Sequence, residues 1–202
     1  MGAIRKAFEI ILNSDQEESR IAARQIRKIV YSSKSDQDSF NDIKNIVDGS
    51  FGEYYKIKEN WRQENFVMAL SVIYFLRDEN NLPDFLFPWF LQLLQHYNGY
   101  IRYSAVKMIV NELGPLTFHI RFPGEKRFSE ENFSPKKADE ILLSLFLNLN
   151  NLLNSFWLPK YKKYKYIDSL PASPYKSVQM LLSEMEYFCG EEYLNKLKKI
   201  SS

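Results

Sequence analysis

Along most of the chain, apolar residues recur at three- and four-residue spacings, the pattern of helices with one buried face. Residues 82–97 form one such stretch; Asn98 and Gly99 interrupt it. A second runs from Tyr100 to Leu113, with Ile101, Ala105, Met108, Ile109 and Leu113 on one stripe, and Gly114 and Pro115 predict its end. Ile141, Leu142, Leu145, Phe146, Leu149, Leu152, Leu153 and Phe156 mark a long helix over about 135–157. Ile141 to Leu158 is uncharged, but Asn148, Asn150, Asn151 and Asn154 would be costly in hydrocarbon, so a buried face is expected here and not a membrane span. Ser134 before Pro135 and Ser173 before Pro174 predict capped helix starts with proline in the first helical position. Ser35 predicts a further cap for a helix to about Val47, with Gly49 beyond it, and Gly190 divides Pro174 to Phe188 from Glu191 to Ile200.

One stretch reads differently. Leu116, Phe118, Ile120 and Phe122 alternate with Thr117, His119 and Arg121, a period of two that predicts extended chain, and Pro123 and Gly124 then predict a turn. Residues 114–134 are therefore expected to form a short extended insertion. Its apolar face either packs over the helices or contributes to an interface, which makes Leu116, Phe118, Ile120 and Phe122 candidate partner-binding residues.

Three segments share a register. Arg20 lies between Ser19 and Ile21 with Ala23 three residues on; Arg62 follows Trp61 with Asn65 three on; Arg102 follows Ile101 with Ala105 three on. The arginines are 42 and 40 residues apart, close to the period of paired-helix repeats, about 40 to 47 residues. With Pro88 in the helix before Ile101, Arg102 and Ala105, residues 3–113 resemble the HEAT-repeat family. Ser19 stands where that pattern has a branched apolar residue, and Asn65 where it has alanine. The resemblance implies an all-α, right-handed superhelix of HEAT-like helix pairs over residues 1–113, the insertion at 114–134, and C-terminal helices at 135–202 capping the stack, as one α-helical repeat domain. A compact bundle of unrelated amphipathic helices is the alternative, and it is equally all-helical.

Composition narrows the function classes. The chain has 202 residues, 45% apolar and 26% charged, enough to bury a sizeable core without disulfide or metal staples. Its single cysteine, Cys189, forms no internal disulfide, and with no signal-peptide pattern this points to a cytoplasmic protein without membrane insertion. His96 and His119 stand without metal-ligand spacing, and the seven glycines form no phosphate-binding array, so no metal or nucleotide cofactor is expected. The pairs Glu17 and Glu18, Glu130 and Glu131, and Glu191 and Glu192 fit the positive ends of helices better than an acid–base site. Cys189 reads as a buried structural thiol.

The remaining candidates are for binding. Stacking of repeats would align Arg20, Arg62 and Arg102 into a ladder that bonds carboxylates or carbonyls of neighbouring units. Lys160, Tyr161, Lys162, Lys163, Tyr164, Lys165 and Tyr166 combine phosphate-neutralising cations with rings that can stack on bases, a candidate nucleic-acid surface. Against a wider basic field, the net charge is +2, and residues 1–113 hold 14 basic and 15 acidic side chains. Catalytic constellations are not evident. The resemblance implies a non-enzymatic protein–protein interaction module or small scaffold whose partner is another protein. A nucleic-acid-binding protein similar to the DNA-alkylation-repair branch is the alternative, with Trp61 and Glu64, or Trp89, as its possible base-contacting group.

Overall fold

The computed structural model describes residues 3–32, 54–72, 86–125, 134–156 and 173–200, together with residue 45. Apart from residue 45, the helix expected after Ser35 lies outside the described residues, as do residues 126–133 of the expected insertion, with Glu130 and Glu131, and the Lys160–Tyr166 segment. All regular secondary structure among the described residues is helical, and the chain condenses into two compact units, residues 1–86 and 87–202.

In the first unit, α1 (Ala3–Asn13) buries Ile4, Ala7, Phe8 and Ile11, one stripe at helical spacing. The following helix, α2 (Gln16–Ser32), begins where Asp15 Oδ1 accepts from the amides of Glu17 and Glu18, both at 2.9 Å, and it buries Ala22, Ala23, Ile26 and Val30 against α1. A third, α3 (Asn60–Leu70), packs on both, with Phe66 edge-on to Phe8 at 5.2 Å. Where the repeat pattern departs from apolar residues, the departures meet. Ser19 and Asn65 are both buried; Ser19 Oγ donates to the Ile11 carbonyl and Asn65 Nδ2 donates to Ser19 Oγ.

In the second unit, α4 (Phe87–Leu93) holds Pro88 in its first turn, where its missing amide hydrogen leaves no bond unmade. Asn98 caps α5 (Gly99–Leu116) by accepting from the Tyr100 amide at 2.9 Å. Ile101, Ala105, Met108, Ile109 and Leu113 are buried as expected, with Arg102 and Glu112 buried among them. The predicted stop at Gly114 and Pro115 is corrected: α5 runs through Pro115 to Leu116. Proline costs a helix the bond to the carbonyl four residues back, but one turn from the end that cost is small. Here the terminal carbonyls also find other donors, as Thr117 Oγ1 donates to Leu113 O at 2.7 Å and Arg121 Nη2 to Gly114 O at 2.8 Å.

The extended insertion is corrected as well. Phe118–Arg121 is a single helical turn, α6, followed by a turn at Pro123 and Gly124, the latter with φ +88°. A four-residue spacing is both a multiple of two and close to one helical turn, so Phe118 and Phe122 fit either period. Their rings lie 5.1 Å apart, one turn removed.

The long apolar segment forms α7 (Pro135–Ser155), capped by Ser134 as expected. Asn148 and Asn150 return donors to carbonyls four residues back, and no helix among the described residues is long and apolar enough to cross a membrane. Ser173 caps α8 (Pro174–Cys189), which Gly190 ends at φ +79°, and α9 (Glu191–Ile200) follows at once. Helix α5 is central, packing on α4, α7 and most extensively α8; α8 in turn touches α6, α7 and α9.

Candidate functional site

The three arginines in register do three different jobs. Arg20 is exposed and pairs with Glu17 one turn back at 2.7 Å, a solvated contact of little energetic weight. Arg62 reaches across to α1, where its Nη1 donates to the Ile11 carbonyl at 3.0 Å, while its guanidinium lies 4.4 Å from the Trp61 ring. Arg102 is fully buried, and its Nη1 donates to the carbonyls of His96 and Tyr97 at 2.6 and 2.8 Å, tying the turn before α5 to the helix. Trp89 is buried beside Phe90, so its ring faces the core and not a surface for bases.

Several chemistry-bearing side chains gather at one corner of the second unit, where α6 meets α7, α8 and α9. Asp139 Oδ1 accepts from His119 Nε2 at 2.9 Å and from the Tyr193 hydroxyl at 2.5 Å, so one carboxylate oxygen joins α6, α7 and α9. Burial, the bond to Asp139 and its charge raise the Tyr193 phenol above its ordinary range, which keeps it a donor. Cys189 is buried close by. Burial and then the Asp139 charge push its thiol up to about 12, outweighing the opposing Arg121 charge, so it is neither a thiolate nor a nucleophile at neutral pH. Arg121 lies 5.2 Å from both the Phe122 and Phe188 rings, and its Nε donates to Thr117 Oγ1 at 3.1 Å. The polar groups of the corner are thus spent on holding four helices together. Among the described residues, no three His, Cys, Asp or Glu side chains come together so as to hold a metal ion.

Of the four residues expected to offer an apolar face, Leu116 is buried in α5, Phe118 and Ile120 are half-buried, and Phe122 presents an exposed ring. The sequence pattern gave no sign of the Asp139, His119 and Tyr193 junction, because its members are 20 and 54 residues apart and belong to no motif.

A second feature of the unit lies on the outer side of α8. Its buried stripe, Ser177, Val178, Leu181, Met185 and Cys189, faces inward. Opposite it is an open groove of about 540 Å³ whose floor includes Gln179, Met180 and Ser183, with α7 contributing Phe146 and Leu153 and α9 contributing Leu194 and Lys198. Met180 and Leu153 are half-buried, with apolar surface left facing water. A sequence signal for it did exist: Met180 and Leu182 flank the main stripe of α8 and widen it beyond what one contact needs. Comparison with family models, curated proteins and solved structures returns no match.

Proposed function

We propose that this chain is a non-enzymatic protein-interaction module that binds a partner protein through the second unit. The observation carrying this reading is the groove over α8, in which Leu153, Met180 and Leu182 keep apolar surface accessible beside polar and charged side chains. Protein interfaces likewise combine apolar surface with a polar surround. Its volume falls within the range of binding clefts, about 300–1,000 Å³. The neutral, buried state of Cys189 supports the non-enzymatic part, and a HEAT-like arrangement of the helices, whose common role is holding other macromolecules, is part of the same proposal.

A photo-crosslinking residue placed at Gln179 in the full chain tests it in the cell of origin. We expect one defined polypeptide to be captured, and capture to be lost on Met180→Asp. Capture that is indifferent to Met180→Asp, or occurs equally from Tyr55 in the first unit, overturns the assignment of the groove.

A second reading, single-stranded nucleic acid, is favoured by another face. Tyr100 and Tyr103 are exposed one turn apart on α5, and Lys107 Nζ lies 5.1 Å from the Tyr103 ring. Such rings stack on bases. An anisotropy titration with a labelled oligonucleotide at low salt decides it: absence of binding removes this reading, and binding lost on Tyr100→Ser with Tyr103→Ser establishes it.

A further inference from the structure

The geometry points to one occupant for the groove over α8: an amphipathic helix of about three turns, supplied by a partner protein and lying antiparallel to α8. The inference rests on the interaction-module reading and deepens it, adding the kind of segment bound and its direction.

Shape comes first. The groove is floored by one helix and walled by its two neighbours, α7 and α9, both of which pack on α8. A trough between two helices over a third is the place where a further helix packs, ridges into grooves. It is an open groove and not an enclosed cavity, which suits the inserted face of a helix better than an enclosed small molecule. Met180 on the floor is flexible enough to adapt to the side chains laid against it.

Charge then sets direction. Lys176 stands in the first turn of α8 and Glu186 in the last, ten residues and hence about 15 Å apart along the axis. Helix α9 starts from the Glu186 end. Leu194 and Lys198 line the same groove. Along α8 the groove therefore runs from Lys176 to Glu186, with Glu184 also in its C-terminal half. The peptide dipole of α8 has the same sense, positive at its Lys176 end. A bound helix satisfies both only with its C-terminal end and acidic side chains over Lys176, and its N-terminal end and basic side chains over Glu184 and Glu186. That orientation is antiparallel to α8.

The test uses the full chain and two fluorescein-labelled peptides of about three to four turns, lactam-bridged so that both are helical and sharing one Leu/Ala stripe. One carries Lys in its first turn and Glu in its last; the other has these charges exchanged. Fluorescence anisotropy at low salt is expected to show the first binding about fivefold or more tighter, with the ratio shrinking as salt rises. Combining Lys176→Glu, Glu184→Lys and Glu186→Lys is expected to invert the preference. Ser183→Arg, a change at an exposed floor position, is expected to block both peptides without touching the core.

Equal affinities, a preference that survives the charge reversals, or no binding by either peptide overturns the inference. So does sedimentation showing a dimer that Ser183→Arg dissociates, because a second copy then fills the groove. If the Gln179 crosslink is still lost on Met180→Asp while the peptides show no polarity, the antiparallel helix falls and the interaction reading stands. If the crosslink does not depend on Met180, the interaction reading itself falls.

Discussion

Asn65 donates through its side-chain amide to the hydroxyl of Ser19 at 3.0 Å, and that hydroxyl donates onward to the carbonyl of Ile11 at 3.1 Å. The two residues sit 46 positions apart, on α3 and α2, and each is a buried polar residue among the apolar side chains of its helix. A buried polar group without a partner is costly; Asn65 depends on Ser19 for its partner, and the pair fixes the lateral register of the two helices. Asn65→Ala and Ser19→Ala should each lower stability by about 1–3 kcal/mol. The double variant should lose less than the sum, by about 0.5 kcal/mol or more. Urea unfolding of the four proteins gives the coupling, and strict additivity would mean that the bond contributes nothing.

His96 makes stability depend on pH. Burial, helped by the Arg102 charge, pushes its imidazole down to about 4, and its Nδ1 accepts from the Asn98 amide at 3.0 Å, which requires that nitrogen to be unprotonated. In the unfolded chain the ring titrates near its ordinary value of about 6.5. Above that pH both states are neutral and the stabilisation is complete. As pH falls from about 6.5 to 4, the unfolded state takes up a proton that the folded state refuses, and stability falls. Allowing for solvent at the ring's exposed edge, the loss should be of order 2 kcal/mol. His96→Asn keeps a side-chain acceptor that does not titrate in this range. Its unfolding midpoint should change less between pH 6.5 and 4 than that of the parent, and identical pH profiles would refute the assignment.

Cys189 should be slow to react in the folded protein. With the thiol raised to about 12 and nearly covered, iodoacetamide at pH 8 should label it roughly a hundredfold more slowly than it labels the denatured chain, where the thiol has its ordinary acidity. Mass spectrometry of timed, quenched samples measures both rates. Similar rates would show the corner around Asp139 to be open.

Ala105 is completely buried in α5. Leucine there should overpack the contact and cost about 1–3 kcal/mol, read as a lower thermal midpoint with helical circular dichroism retained below it. An unchanged midpoint would mean that the site yields without strain.

How much of this could be read beforehand depended on the range of the interaction. Local chemistry was legible: Ser134 and Ser173 cap helices because a hydroxyl bonds an amide three residues on, and Gly190 ends one because of its own torsion. The Ala105 stripe was legible because its period is that of the helix it belongs to. Leu116 to Phe122 was misread because alternation over seven residues also contains the four-residue spacing of a helix. Whether a helix runs through a proline to its end depends on who serves its terminal carbonyls, and the donors to Leu113 and Gly114, Thr117 and Arg121, lie beyond the proline in sequence. Asp139 and Tyr193, or Leu153 and Met180, become neighbours only when three helices have packed, and no spacing along the chain encodes that.

The joint at Gly190 has a mechanical consequence. It connects α8 to α9 with one residue at φ +79°, a torsion that side chains with a Cβ resist, although nothing else crowds the position. A linker this short has no slack. One inserted residue would rotate α9 by about 100° about its axis, turning Leu194 and Leu197 out of the core and carrying Tyr193 away from Asp139. With its length unchanged, the same joint would be the fulcrum of any tilt of α9. Lys198 lies eight residues, about 12 Å, along the arm, so swinging that arm by about ten degrees would displace the wall of the groove there by about 2 Å. The hydrogen bond from Tyr193 to Asp139 would resist such a tilt near its root, together with the buried Leu194 and Leu197, from a corner that takes no part in lining the groove.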